Sequence, residues 1–333
     1  MKVSAIIPCH NNARWITAAL DSVAAQSLPV DDVIVLVDAS SDDSAALAAA
    51  HPLRPRVELT QFRNAGAARN RGAELARHPW IAFLDADDWW IPDHLRLAAR
   101  LLEGTRDVAY FGHFVEHWGD AGLYHHRPAL SEPGAGLSGA DFYRAFLGPN
   151  PGWPTSGMIL SRDRFLEVGG FDVTQVRRHD TELFSRVLHG HTWSYNPREV
   201  FFYRKAVGES ISTDRAACSY YRLRADVRIV QAFGPAQGRT HLRKKAEEAL
   251  SLTLSERRRD LFAASLTLGR PYLSGARRWF YSAARWAPGA MRPCLALGRL
   301  WRQRGRSAAA PPPVLPPAAS SSSESLASSS RAR

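Results

Sequence analysis

Val3-Ser4-Ala5-Ile6-Ile7-Pro8 is a short apolar run that stops at a proline and gives way to the polar His10-Asn11-Asn12. A run of that length bounded by turn formers reads as a buried strand. Residues 12–26 follow with Ile16, Ala19, Leu20 and Val23 at helical spacing, so the chain begins strand, loop, helix. The same unit returns downstream. Asp32–Val37 is a second strand with a helix from about Asp43, Val57–Thr60 a third with a helix over Ala67–Ala76, and Trp80–Leu84 a fourth with a helix after Pro92. This alternation predicts an α/β fold, a Rossmann-like and mostly parallel sheet with flanking helices. Ligands of such sheets sit beyond the carboxyl ends of the strands, so the residues just after each strand are the informative ones.

Beyond the fourth unit the pattern loosens. Residues 118–137, rich in Gly, His and Pro, read as a loop, Thr155–Leu160 as a further strand, Asp180–Leu188 as a helix and Trp193–Arg204 as an extended segment. From Asp214 to Arg304 the chain reads as helices dense in Arg, with Trp279, Phe280, Tyr281, Trp286, Leu295, Leu297, Leu300 and Trp301 interleaved. Two readings fit that composition: an amphipathic region lying on a membrane surface, or a helical subdomain with its aromatics packed on the core. Past Arg306 a run of Ala, Pro and Ser cannot bury a core. Three regions follow: an α/β domain over 1–213, a basic, aromatic-rich C-terminal helical region over 214–305, and a disordered tail over 306–333.

The formal net charge of +11 suggests nucleic acid until it is divided along the chain. Residues 1–213 carry 21 Lys/Arg against 25 Asp/Glu, whereas residues 214–333 carry 22 against 7. The basic character belongs to the C-terminal region, which suits an anionic membrane surface and leaves the α/β domain without a nucleic-acid footprint. Cys9, Cys218 and Cys294 show no paired spacing and an odd total, which argues against a disulfide framework or zinc site and for a reducing compartment. The opening apolar run is too short for a signal-peptide core, and no window reaches the roughly 18 uninterrupted apolar residues of a membrane span. A cytoplasmic protein, peripheral at most on the inner membrane face, is the expectation.

Three stretches carry candidate chemistry. Phe83-Leu84-Asp85-Ala86-Asp87-Asp88-Trp89 sets three carboxylates directly after an apolar strand, where like charges are costly unless a cation joins them. Hard oxygen ligands suit Mg²⁺ or Mn²⁺, which bind through one or two carboxylates together with substrate phosphates. The competing reading is a loop whose acids cap the helix near Pro92. Asp38, within Val37-Asp38-Ala39-Ser40-Ser41-Asp42, is placed to accept a hydrogen bond from a base or sugar, or to cap a turn. Asn64-Ala65-Gly66-Ala67-Ala68-Arg69-Asn70 opens a helix whose free N–H groups and Arg69 suit a diphosphate, or are ordinary capping. His125-His126 and His189-x-His191 invite a metal reading, but with hard-cation carboxylates present they read as loop and surface residues.

In this order the three stretches resemble the family 2 glycosyltransferases of GT-A fold, a similarity that begins at Val3–Pro8, continues in Ala19-Leu20-Asp21-Ser22-Val23-Ala24-Ala25-Gln26 and covers about residues 1–205. The resemblance implies that Asp38 and the loop after Pro8, with His10 and Asn11, face the nucleotide base. It implies that Asn64, Gly66, Arg69, Asp85 and Ala86 line the donor site, and that Asp85 and Asp87 form the metal-binding D-x-D, with Asp88 as an accessory. Where the family has two adjacent acids after the second strand, this chain has Val37 before Asp38. After Gly169-Gly170-Phe171-Asp172 the family's acidic pair appears as His179-Asp180, leaving Asp180 as the base and His179 to tune it or touch the acceptor. Tyr203-Arg204 and Ser210-Ile211-Ser212 look like the loop that closes on the donor diphosphate. Trp153-Pro154-Thr155-Ser156-Gly157 is expected to help shape the acceptor pocket.

The implied activity is an inverting, metal-dependent transfer of sugar from a nucleotide-sugar, uridine-linked, to the hydroxyl of a saccharide or lipid-linked acceptor in envelope glycan synthesis. Mn²⁺ or Mg²⁺ would neutralise the departing diphosphate, and Asp180 would take the acceptor's proton. Two alternatives share these features. A sugar nucleotidyltransferase would favour a sugar phosphate plus a triphosphate, and a non-catalytic nucleotide-sugar-binding protein would bind without turnover.

Overall fold

The structure, a computed structural model, describes residues 1–147, 152–205, 214–234 and 238–285. Strand β1 (Val3–Cys9) is buried along its whole length, helix α1 (Ile16–Ala24) buries Ile16, Ala19, Leu20 and Val23, and β2 (Asp32–Asp38) is again buried throughout. Strands covered on both faces need apolar side chains at successive positions, which is why these two read as runs rather than alternations. Helix α2 (Ser44–Ala50), β3 (Arg56–Thr60), α3 (Ala65–Leu75) and β4 (Trp80–Phe83) complete the repeated units. A Cβ on Gly72 would stand 2.4 Å from Cγ2 of Ile6, so the glycine is what lets α3 lie directly on β1.

The chain continues through β5 (Trp89–Trp90), α4 (His94–Leu102), β6 (Ala109–His117), β7 (Leu123–His125), β8 (Gly134–Leu137), α5 (Gly139–Leu147), β9 (Met158–Ser161) and α6 (Arg162–Glu167). It then forms α7 (His179–Leu188), β10 (Trp193–Arg204), α8 (Arg215–Phe233), α9 (Arg239–Ser255), α10 (Arg259–Gly269) and α11 (Gly275–Ala284). The strands make one ten-stranded sheet ordered β3-β2-β1-β4-β9-β6-β10-β5, with β7 attached to β6 and β8 to β10. β1 pairs in parallel with β2 and β4, β2 with β3, and β6 with β10. β9 runs antiparallel to both β4 and β6, and β5 antiparallel to β10. The mostly parallel sheet with flanking and C-terminal helices is therefore present.

Several elements differ from the sequence reading. The stretch 118–137 holds β7 and β8 as well as loop, because its residues extend the sheet through β6 and β10. Thr155–Gly157 is a 3-10 turn, and only Met158–Ser161 is strand. β6 and α5 had no counterpart in the sequence reading. Helices α8 to α11 share one compact unit with the sheet, so the boundary expected at 213/214 falls inside that unit. Trp286, Leu295, Leu297, Leu300, Trp301 and the 306–333 tail lie outside the described residues, as does Ser210-Ile211-Ser212.

Two apolar centres support the sheet. On one side Ile7, Val35, Leu84 and Trp90 pack with α1 and α4. On the other, Phe111, Phe142, Trp153, Phe184, Trp193 and Tyr195 interlock, with Phe111 and Trp153 meeting edge to face at 4.7 Å. Aromatic pairs at these separations add to their area burial.

His94 is fully buried between Trp90 and Tyr110, and neither ring nitrogen has a hydrogen-bond partner among the described residues. Burial alone depresses its pKa to about 3. Below the ordinary histidine value the unfolded chain takes a proton that the folded one refuses, so stability falls as pH drops toward 3. In urea titrations from pH 7 to pH 4, His94→Leu should gain on wild type by roughly 1.4 kcal/mol per pH unit below about 6.5. A difference that does not change with pH would contradict the assignment.

Candidate active site

At the carboxyl edge of the sheet, His10 lies with Nδ1 2.7 Å from the Asp38 carbonyl oxygen, which can only accept, so the ring proton sits on Nδ1. Asn11 has φ 51 and ties the β1 loop to the β2 loop, its N–H donating to Ser40 Oγ at 3.0 Å and its Oδ1 accepting from Ser41 N at 2.8 Å. Pro8 is buried in β1. The Asp38 carboxylate, 4% exposed, faces inward: it accepts from Thr60 Oγ1 and Arg63 N at 3.1 Å and from Asn64 N at 2.8 Å. In this arrangement its side chain organises the loop between β3 and α3.

That loop delivers Asn64, whose Oδ1 caps α3 by accepting from Ala67 N at 3.0 Å. Phe171 covers the helix start, its Cβ only 3.2 Å from where a Gly66 Cβ would stand. Asn70, a turn later, grips the Phe171 peptide from both sides, accepting its N–H at 2.7 Å and donating to its carbonyl at 3.0 Å. Gly170 has φ +63, a conformation that leads the chain into this grip at little cost only for glycine.

Arg69 is 4% exposed and is spent within the protein: one guanidinium nitrogen donates to Asp85 Oδ1 and another lies 3.1 Å from His179 Nε2. A guanidinium has no lone pair to offer, so Nε2 must accept, and His179 is neutral with its proton on Nδ1. Burial, then the Arg69 charge, hold the His179 pKa below its usual value. The chain His179, Arg69, Asp85 thus joins α7, α3 and the end of β4 through one buried cation.

The other two acids have different partners. Ser156 Oγ accepts from Asp85 N at 3.0 Å and donates to Asp88 Oδ2 at 2.6 Å, while Asp88 Oδ1 accepts from Arg204 N at 2.8 Å. The segment expected at the acceptor pocket, 153–157, is therefore buried and acts on the acids from behind. No described side chain donates to Asp87, and burial followed by the Asp85 charge raises its pKa to about 6. Asp88 is raised well above the usual carboxylate range by burial and then by Asp87 and Asp85. Ala86, between them, is buried. Among the described residues no three His, Cys, Asp or Glu side chains form a ready-made metal site. His125 and His126 pair instead with Glu199 and Glu116.

Asp180 stands in the first turn of α7, its Oδ1 accepting from Thr181 N at 2.6 Å. The half-buried Tyr203 phenol is held protonated by burial first and then by the charges of Asp88, Asp85, Asp180 and Asp87. Beside it Arg204 donates from Nε to the Asp87 carbonyl at 2.9 Å and stacks its guanidinium 3.5 Å over Trp15 and 4.9 Å over Trp89. Arg14 covers Trp15 as well, at 4.3 Å. The roles of Trp15, Ser156 and Asn70 had no signal in local sequence, since each partner lies on a different element.

Residues 4–222 match the family described as Glycosyl transferase family 2. The succinoglycan biosynthesis protein ExoO of Rhizobium meliloti (strain 1021) is 42% identical over 97 residues, 28% of this chain and 28% of that protein. The amylovoran biosynthesis glycosyltransferase AmsB of Erwinia amylovora is 29% identical over 192 residues, 55% of this chain and 62% of that protein. Both matches span less than two thirds of the relative's length. The crystal structure of S. aureus TarS 1–349 in complex with UDP-GlcNAc superposes with a TM-score of 0.64 at 17% identity, covering 91% of this chain and 92% of that one. That likeness shows the fold.

Ser156→Ala removes both the acceptor for the Asp85 N–H and a donor to buried Asp88. Leaving buried polar groups unmade costs about 1–3 kcal/mol, and a urea unfolding series on the variant should show a loss in that range. An unchanged midpoint would mean that the serine is not bearing on the acids.

Proposed function

The chain belongs to glycosyl transferase family 2, and from that premise we propose that it moves a sugar from a uridine-diphosphate-linked donor to an acceptor hydroxyl, inverting the anomeric centre. The observation that carries this reading is the cluster of Asp85, Asp87 and Asp88 at the carboxyl end of β4, tied through buried Arg69 to His179, the neighbour of Asp180. The complex of TarS with UDP-GlcNAc supports a uridine-linked donor, and the names of ExoO and AmsB support an acceptor in polysaccharide biosynthesis.

The acids fit a hard divalent cation, Mn²⁺ or Mg²⁺. Asp87 has no side-chain donor among the described residues, and its proton affinity is raised by burial and by a neighbouring carboxylate, a strain that positive charge would relieve. One or two carboxylates are what such ions take from a protein when phosphates complete the shell. Asp87 would hold the ion with Asp85 alongside, and its charge would offset the negative charge that grows on the leaving diphosphate. Arg204 and Arg14 add fixed positive charge around Trp15, and stacking on two indoles keeps Arg204 aimed at the same edge. Asp180 keeps Oδ2 for the acceptor: it takes the hydroxyl proton as the oxygen attacks, and no covalent enzyme intermediate is needed. Neutral His179 adds no positive charge beside the base. Asp38 and the His10–Asn11 loop bound the space for the nucleoside.

Calorimetric titration with UDP, GDP and UDP-sugars, each with Mn²⁺ and with chelator, should show UDP binding that needs metal and disappears in Asp87→Ala. Asp180→Asn should keep that binding and lose at least tenfold in transfer rate, the lower range of a general base's contribution being about a hundredfold. Absence of metal-dependent nucleotide binding in the wild-type protein would sink the reading.

We also place the protein peripherally on an anionic cytoplasmic membrane face, near a lipid-linked or envelope acceptor. No described helix is long and apolar enough to cross a membrane. On α11, Trp279 is 71% exposed beside Arg278, the aromatic-plus-cation pattern of an interfacial helix. Sedimentation with phosphatidylserine vesicles should drop severalfold in Trp279→Ser; equal sedimentation of both proteins would eliminate the proposal.

A further inference from the structure

Helix α7 begins awkwardly for an element that presents a catalytic base. Its N-cap residue, Arg178, is left-handed at φ 59 and makes no side-chain cap bond. The charge before it and the buried charge behind it are both held by α8. Arg228 Nη1 donates to Asp172 Oδ2 and to Glu182 Oε1, each at 2.8 Å, and so joins the Gly-Gly-Phe-Asp turn to the first turn of α7. Arg224, one helical turn earlier on α8, donates to Asp172 Oδ2 at 3.1 Å, Thr174 Oγ1 at 2.7 Å and the Thr174 carbonyl at 2.8 Å. Gln175 donates to the Tyr221 carbonyl at 2.8 Å. Asp226, 1% exposed, lies 3.7 Å from Arg178 and is held from α9 by His241 at 2.9 Å.

Apart from the His241–Asp226 pair, every one of these links lands within residues 172–182, the stretch that brackets His179 and Asp180. Glu182 is fully buried, and a buried carboxylate is tolerated only with its cations in place; Arg186 supplies one and Arg228 the other. Arg186 meanwhile donates to the carbonyls of Val168 and Gly170, closing the network onto the turn itself. The family match ends at residue 222, so Arg224, Asp226 and Arg228 lie beyond the matched residues.

We propose that α8 is a positioning element for the transfer reaction: Arg228, with Arg224 and the Asp226–Arg178 pair, fixes the start of α7 so that Asp180 is held at the acceptor hydroxyl. The proposal rests on the reading of Asp180 as the base. A misplacement of the order of 1 Å at a reacting group can cost about a hundredfold in rate, so a clamp that never touches substrate can still govern turnover.

The test uses the full chain with Arg228→Met and Arg228→Lys. Three quantities are read: release of UDP from UDP-GlcNAc or UDP-glucose with water as the acceptor, UDP affinity, and amide exchange in peptides covering 176–186. Arg228→Met should speed exchange at 179–183 at least tenfold and lower kcat at least tenfold, with the donor KM and UDP affinity within twofold of wild type. Arg228→Lys, which keeps the charge, should recover most of both losses. Unchanged exchange in Arg228→Met, or faster exchange with an unchanged kcat, would overturn the proposal. So would a parallel fall in kcat and UDP affinity that lysine does not mend, which is the mark of general unfolding. A wild-type chain without metal-dependent UDP affinity would defeat the transferase reading separately, and exchange at 179–183 would then decide the clamp alone.

Discussion

Three carboxylates within four residues at the end of β4 repel one another, and the surrounding structure is the means by which that repulsion is contained. Each acid recruits a different element. Asp85 takes the buried cation Arg69 from α3, and Asp88 takes the hydroxyl of Ser156 and the backbone of Arg204. Asp87 alone receives no side-chain donor among the described residues, and its raised pKa records the cost. Asp87 is thus the least compensated acid of the three.

Sheet order explains how partners so far apart in sequence meet. β9 is inserted between β4 and β6, so the turn before it brings Ser156 directly behind the β4 acids. β10 runs parallel to β6 and ends with Tyr203 and Arg204 at the same edge. Arg69 then crosses from α3 to α7, so the acid cluster and the Asp180 helix share one buried charge. The geometry belongs to the sheet, and the loops carry the chemistry.

The repeated strand and helix units of residues 1–102 were legible because burial on both faces forces apolar runs, as in β1 and β2, and crossover helices must show an apolar stripe. β6 was not, although it is central: Ala109–His117 mixes Tyr, Phe, Gly, His and Glu, and its polar members are buried through partners on other elements, His113 by the His126 carbonyl and Glu116 by Lys205 and His126. The D-x-D and the Asp180 region were readable as motifs, whereas their neighbours were not. Nothing near Asp38 in sequence says that its carboxylate turns inward to Thr60, Arg63 and Asn64, and nothing in the basic composition of 214–305 says that Arg224 and Arg228 face two acids rather than solvent. Composition gives the sign of a charge and leaves its partner open.

The grip of α8 on Asp172 and Glu182 also has a historical side. Helix α8 starts inside the family match and runs past it, so Arg228 lies on its unmatched part and, taken alone, would be free to vary. Once Arg228 is one of the two cations serving a carboxylate with no exposure to water, that freedom ends: losing the helix strands Glu182, and losing Glu182 strands the arginine. Either change must wait for the other, so the pair is entrenched. Exchange of α8 for that of a relative would therefore have to carry residues on both sides of the contact.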